Sequence, residues 1–311
     1  MLVPNEALLW APRRSVTIDT ILANGFLAMI DGVVLLWFVL TALALLFVAY
    51  DIRTTPESPV LKWGFILLTA YTGVFGAFLY VLGCREPLPQ THELYVATRW
   101  RQVLGSTMHC VAGDGVGILA GAVISTTLGW AGWTEVLLEY LLGFGFGWTI
   151  FQALFMRDMA GGSYVRSLAT TFMSELLSMN LLMAAMVPSM MILRSVLAPT
   201  AGPGAPVFWF VMSMALLAGF IVAYPMNWWL VANHLKHGMM TIRPAQAEAA
   251  MGGHRGHAGM NHAGQGGSHD AMASQMTQGR EAPVPSVAVM TLVSFVALAA
   301  GLIVARLAFA T

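Results

Sequence analysis

The chain has 311 residues, 58% of them hydrophobic and 10% charged, with 15 Lys and Arg balanced by 15 Asp and Glu. A soluble domain is about a quarter charged, so this composition, with a mean hydropathy of +0.72, excludes an ordinary soluble enzyme and fits a polytopic membrane protein. Zero net charge leaves no basic footprint for nucleic acid, and two cysteines, Cys84 and Cys110, exclude a disulfide scaffold. No cleavable signal peptide is evident: Arg13, Arg14 and Asp19 precede the first apolar run, and no small-residue cleavage site follows it.

A helix needs about 20 apolar residues to cross about 30 Å of hydrocarbon, and in lipid a lone strand leaves its backbone unsatisfied. In chain order, residues 1–29 read as an N-terminal interfacial segment, with 7–29 an amphipathic surface helix. Spans follow at Ile30–Tyr50, Leu61–Leu82, Met108–Leu128, Val136–Met156, Phe172–Leu193 and Val207–Val231, a six-helix transmembrane core within 30–235. Glu93–Gln102 is expected as a short interfacial helix. Residues 236–286 read as a disordered, flexible His/Met-rich loop, and Val287–Arg306 as a seventh transmembrane helix within 287–311. The expected fold is an all-α integral membrane protein of about seven transmembrane helices.

The positive-inside rule orients these spans. Arg13, Arg14, Arg85, Arg99, Arg101, Arg157, Arg166, Lys236, Arg243, Arg255 and Arg280 fall on one side, eleven against four (Arg53, Lys62, Arg194 and Arg306). The expectation is a multi-pass protein of a bacterial inner membrane, N-terminus inside. Tryptophans such as Trp63, Trp130, Trp133 and Trp228 sit where spans meet water, as interfacial anchors do.

Ionisable residues inside a span cost roughly 2.5–3.5 kcal/mol each on insertion scales and tend to be functional. The third span opens with His109, Cys110 and Asp114, the last two sharing a helix face; Gly113, Gly115, Gly117 and Gly121 beside them admit a close helix. Glu175, Met179 and Asn180 open the fifth span, Gln152 and Met156 close the fourth, and His234 and His237 follow the sixth. All fall in the cytoplasmic half, as a shared site would require and as helix ends near an interface also produce. Met179, Met183, Met186 and Met190 form one stripe. It reads either as a thioether ladder for a soft cation or as ordinary packing.

Between Met251 and Met276 lie His254, His257, His262 and His269 with Met260 and Met272, among Gly, Ala, Ser and Gln. Imidazole and thioether suit soft-leaning ions, Cu(I) above all, and a glycine-rich tether lets them converge without a fold. The stretch is a chelating arm or a solvated linker; with no cysteine pair it is not a structural zinc signature.

The run Met108-His109-Cys110-x-Ala112-Gly113-Asp114 resembles the third-span motif of a bacterial and archaeal membrane family catalogued as a domain of unknown function. The Pro225-Met226-Asn227-Trp228-Trp229 run with Lys236-His237-Gly238-Met239 is similar to that family's sixth-span ending. The resemblance covers roughly residues 31–240 and implies the fold and a copper-handling gene context, without an activity. Val111 stands where that family has Gly, and a single cysteine where some relatives have two.

The leading expectation is a protein that binds and transports or sequesters a soft metal ion, most of all Cu(I). Its candidate ligands are His109, Cys110, Asp114, Glu175, Met179, Met183, His234, His237, His254, His257, Met260 and His262. The alternatives are an accessory or assembly subunit of a respiratory or photosynthetic membrane complex, and a nickel or cobalt carrier. An enzyme is not expected, since the sequence holds no H-E-x-x-H and no G-x-S-x-G.

Overall fold

The computed structural model describes residues 18–88, 91–157, 162–197, 201–238 and 284–310. The described residues are helices and their connections, without a strand. Helix α1 spans Ile18–Asp51, α2 Pro59–Thr72, α3 Val74–Gly83, α4 His92–Val96 and α5 Arg99–Thr127. Next come α6 (Trp133–Phe146), a π-helical turn (Gly147–Gln152), α7 (Ala153–Met156), α8 (Tyr164–Leu197), α9 (Pro206–Ala232) and α10 (Val287–Ala310).

Five of these helices are long and apolar enough to cross a membrane: α1 from Ala28, α5, α8, α9 and α10 up to Ala308. The bundle is inverted relative to a soluble core. Its axis, α5, is mostly buried and carries the polar groups, whereas α1 and α10 turn Leu35, Leu36, Leu46, Leu292, Val296 and Ile303 outward. Outward leucines beside buried carboxylates fit lipid as the solvent. The helix α1 runs unbroken from Ile18, ahead of the membrane-long apolar stretch that starts at Ala28. The rest of the interfacial segment, 1–17, lies outside the described residues, as do 239–283, which hold nearly all of the His/Met-rich loop.

The expected second span is overturned. Ser58 caps α2 by accepting from the Leu61 amide at 3.4 Å, with Pro59 in the first turn. The helix then stops at Gly73 (φ +60°, ψ −132°), a conformation that glycine adopts readily. There the chain reverses. Gly76 backs onto Thr69, the Tyr80 ring lies edge-on to Phe65 at 5.5 Å, and the Cys84 thiol donates to Glu57 at 3.9 Å. Thus α2 and α3 form a hairpin that returns to the face it left. Its tip abuts Trp37 and Thr41 of α1, and Thr41 lies ten residues, about 15 Å along a helix, inside Asp51. The hydrophobic run of 22 residues is real, but it is folded in two.

The expected fourth span is one path in three pieces, α6, the π turn and α7. It lies antiparallel to α5: Gly121 meets the Glu139 backbone, Gly117 the Leu142 carbonyl and Gly113 the Phe151 side chain. A Cβ at any of these glycines would collide, which is the close approach their spacing anticipated. Helices α8 and α9 are also antiparallel, with Asn227 donating to Ser178 at 2.9 Å, and Gly301 of α10 rests on the Ala184 carbonyl.

The bundle therefore has two ends. The Lys236 end gathers Asp51, Arg85, Arg99, Arg157, Tyr164 and Lys236. The Arg194 end gathers Thr126, Glu135, Arg194 and Gly202. Tyr224 bonding the Trp100 carbonyl (3.1 Å) marks the first, and Arg194 bonding Glu135 (2.9 Å) the second.

Candidate functional site

The helix α9 ends at Ala232, and the chain turns sharply beyond it. His234 takes a left-handed conformation (φ +56°), and the amides of Leu235 and Lys236 both reach back to the Leu230 carbonyl, at 2.9 and 3.2 Å. This is a left-handed helix C-cap, and it throws Lys236 back into the bundle. The Lys236 side chain is fully buried. Its ammonium donates to Cys110 Sγ at 2.6 Å and Asn227 Oδ1 at 3.0 Å, and lies 3.5 Å from Glu175 Oε2. The Cys110 thiol in turn donates to Glu175 Oε2 at 3.2 Å.

Asp114 lies one turn beyond Cys110 on α5. A Cβ on Gly147 would strike Asp114 Oδ1 and sit 3.0 Å from Glu175 Oε1, so both carboxyls border one gap. Gly147 opens the π turn, the kind of helix defect often found at functional sites. Asp114, Glu175 and Asn180 are fully buried, and the Asp114 carboxyl is hydrogen-bonded to that of Glu175. His109 Nε2 donates to the Phe151 carbonyl at 3.0 Å, just below the same gap. Gln152, nearly as buried, closes the turn with its amide oxygen unpartnered. The Met179 methyl lies against Gly143, beside the Asp114 carbonyl.

The structure thus brings Cys110, Asp114 and Glu175 together, while His109 turns to the Phe151 carbonyl and the Met179 methyl packs against Gly143. Met183 continues away from them with Met186 and Met190, all buried in the apolar core between α8 and α9. His234 and His237 lie past the end of α9, so the helical spacing that paired them does not hold; His234 is exposed and serves the turn. The arm ligands His254, His257, Met260 and His262 lie outside the described residues. Cys84 does not join Cys110: both thiols are free. Cys84 is buried at the hairpin base, where Glu57 Oε1 also meets His92 Nε2 at 2.9 Å. Burial first, and the Glu57 carboxylate second, push the Cys84 thiol above its ordinary range.

Among the described residues, no three His, Cys, Asp or Glu side chains form a ready metal cage. The position a cation would take beside Cys110 and Glu175 holds the Lys236 ammonium. Sequence reasoning counted Lys236 as a loop charge. The signals it passed over were the lysine four residues past a helix end and the glycine at 147.

Residues 99–236 match the family model of a domain of unknown function, DUF4396. The matched stretch runs from the start of α5 to Lys236 itself, so it contains Cys110, Asp114, Gly147, Glu175 and the lysine. It leaves out the hairpin and α10. No curated protein and no solved structure matches the chain.

Proposed function

We propose that this is a multi-pass membrane carrier for a monovalent soft cation, Cu(I) foremost, taken up at Cys110, Glu175 and Asp114 as the Lys236 ammonium withdraws. One observation carries the reading: a fully buried ammonium faces two buried carboxyls that bond each other. Buried charges must be balanced. With both acids ionised the site is one positive charge short; with lysine withdrawn it is two short. With the lysine withdrawn, a monovalent ion together with a proton or a single divalent ion closes that ledger, so the choice of ion rests on the donor atoms. The Cys110 sulfur favours a soft ion over a hard one.

The hairpin revises the orientation. Six crossings, five continuous and one through α6 to α7, put Ile18 and Ala310 on the Arg194 face. The Lys236 face then collects Arg53, Lys62, Arg85, Arg99, Arg101, Arg157, Arg166, Lys236, Arg243, Arg255 and Arg280, again eleven against four. We assign the Lys236 face to the cytoplasm of a bacterial inner membrane by the positive-inside rule, with Ile18 outside rather than inside. Gly238 and Val284, the described ends flanking the His/Met stretch, both belong to that face.

Metal content of the purified protein, measured by mass spectrometry after Cu(I) loading, tests this. The wild-type chain and a variant lacking residues 251–276 should each retain about one intramembrane copper. Cys110→Ser should lose it while keeping its fold. A Cys110→Ser protein holding as much copper as the wild type would reject the site.

A further inference from the structure

A second polar group, at the opposite end of the same helices, has no place in the site above. Glu139 on α6 is fully buried against α5, its backbone against Gly121, and neither of its carboxyl oxygens has a hydrogen-bond partner. Glu135, one turn nearer the Arg194 face, is also buried and pairs with Arg194 of α8 at 2.9 Å. Ser125 follows Gly121 by one turn on α5; it is fully buried and its hydroxyl is likewise unpartnered. The charged groups facing Glu139 are Glu135 from its own helix and Arg194 from α8; α5 meets it with Gly121, which does not titrate.

The composition repeats that of the first site: two carboxyls and one basic side chain, Glu139 and Glu135 with Arg194, against Asp114 and Glu175 with Lys236. Each set is one positive charge short when its acids are ionised. The donors here are oxygens, with no sulfur among them, so this end suits a hard charge. Glu139 lies six residues into α6, about 9 Å from its start at Trp133, between that mouth and the Asp114 gap.

We propose that Glu139 is a proton-binding station that connects the Arg194 face to the Asp114–Glu175 gap. Protonation of the Glu139 carboxylate supplies the missing charge; release of that proton leaves the carboxylate beside Arg194. This extends the carrier reading: cation uptake at the Lys236 end is coupled to proton movement through Glu139.

Two measurements test it, the first independent of any metal. Infrared spectra of the purified full chain at neutral pH should show a protonated, unhydrated carboxylic-acid band that Glu139→Gln removes and Asp114→Asn does not. If Glu139→Gln leaves the spectrum unchanged, the proposal fails. Second, in proteoliposomes enclosing a pH-sensitive dye, a Cu(I) gradient should drive proton movement in the wild type. Glu139→Gln should reduce it at least tenfold, and Glu139→Asp should restore part, while Cu(I) binding by competition with a chelator stays within about twofold. Wild-type rates in Glu139→Gln would overturn the proposal. Loss of copper binding in the wild type itself would instead sink the carrier reading and leave the infrared result to decide on Glu139.

Discussion

At the level of single residues, the buried site depends on what is missing from Gly147 as much as on what Cys110, Asp114, Glu175 and Lys236 carry. Adding one methyl there would push into Asp114 Oδ1 and crowd Glu175. Overpacking of that kind costs about 1–3 kcal/mol. Gly147→Ala should therefore lower the thermal unfolding midpoint of the detergent-solubilised protein and weaken copper retention. Gly145→Ala, two residues away with open space around its Cβ position, should change neither, since alanine is the better helix former. Equal midpoints for the two variants would contradict the packing described. The acids and the thiol of this site were legible in the sequence, because charge inside an apolar run stands out. The lysine was not. Hydropathy treats a residue after a helix end as solvated, and only the left-handed turn at His234 brings Lys236 inward.

At the level of elements, the α2–α3 hairpin is held by its tip. Gly73 has φ +60°, and a Cβ there would lie 2.6 Å from Thr41 Oγ1 and 2.9 Å from the Trp37 ring. A backbone at φ +60°, ψ −132° lies outside the left-handed helical well and costs a non-glycine residue about 1–3 kcal/mol before any clash. Gly73→Ala should destabilise the protein by at least that much, read as a lower midpoint or as faster proteolysis between residues 73 and 98. No change in either would mean that the reversal does not depend on this residue. A hydropathy window over Leu61–Leu82 measures how apolar a segment is and carries no information on its direction, so a span and a folded hairpin of equal length look alike. The long helices α1, α5, α8, α9 and α10 were legible because each runs unbroken through an apolar stretch long enough to cross a membrane. The Met stripe was legible as a stripe, and the structure places it in the packed core.

At the level of the whole molecule, the hairpin changes the parity of crossings without changing the charge balance. Removing one span exchanges Arg13 and Arg14 for Arg53 and Lys62, two basic residues for two, so the positive-inside tally stays at eleven against four in either topology. That equality is why the charge pattern could orient the Lys236 face yet not count the spans. Single cysteines at positions 53 and 85, introduced with Cys84 and Cys110 replaced by serine, should react with a membrane-impermeant thiol reagent from the same side of the membrane. A cysteine at Gly204 should react from the other side. Labelling of 53 and 85 from opposite sides would restore the seven-span topology and dismiss the hairpin.

The lysine decides the central claim. If its ammonium occupies the place of the transported cation, removing that charge must make the site a stronger cation trap. Cu(I) affinity, measured by chelator competition on purified Lys236→Met and wild-type protein, should be at least tenfold tighter in the variant, a difference of about 1.4 kcal/mol. The added affinity should vanish when Cys110→Ser is combined with it. Equal or weaker Cu(I) binding by a folded Lys236→Met protein would contradict the account.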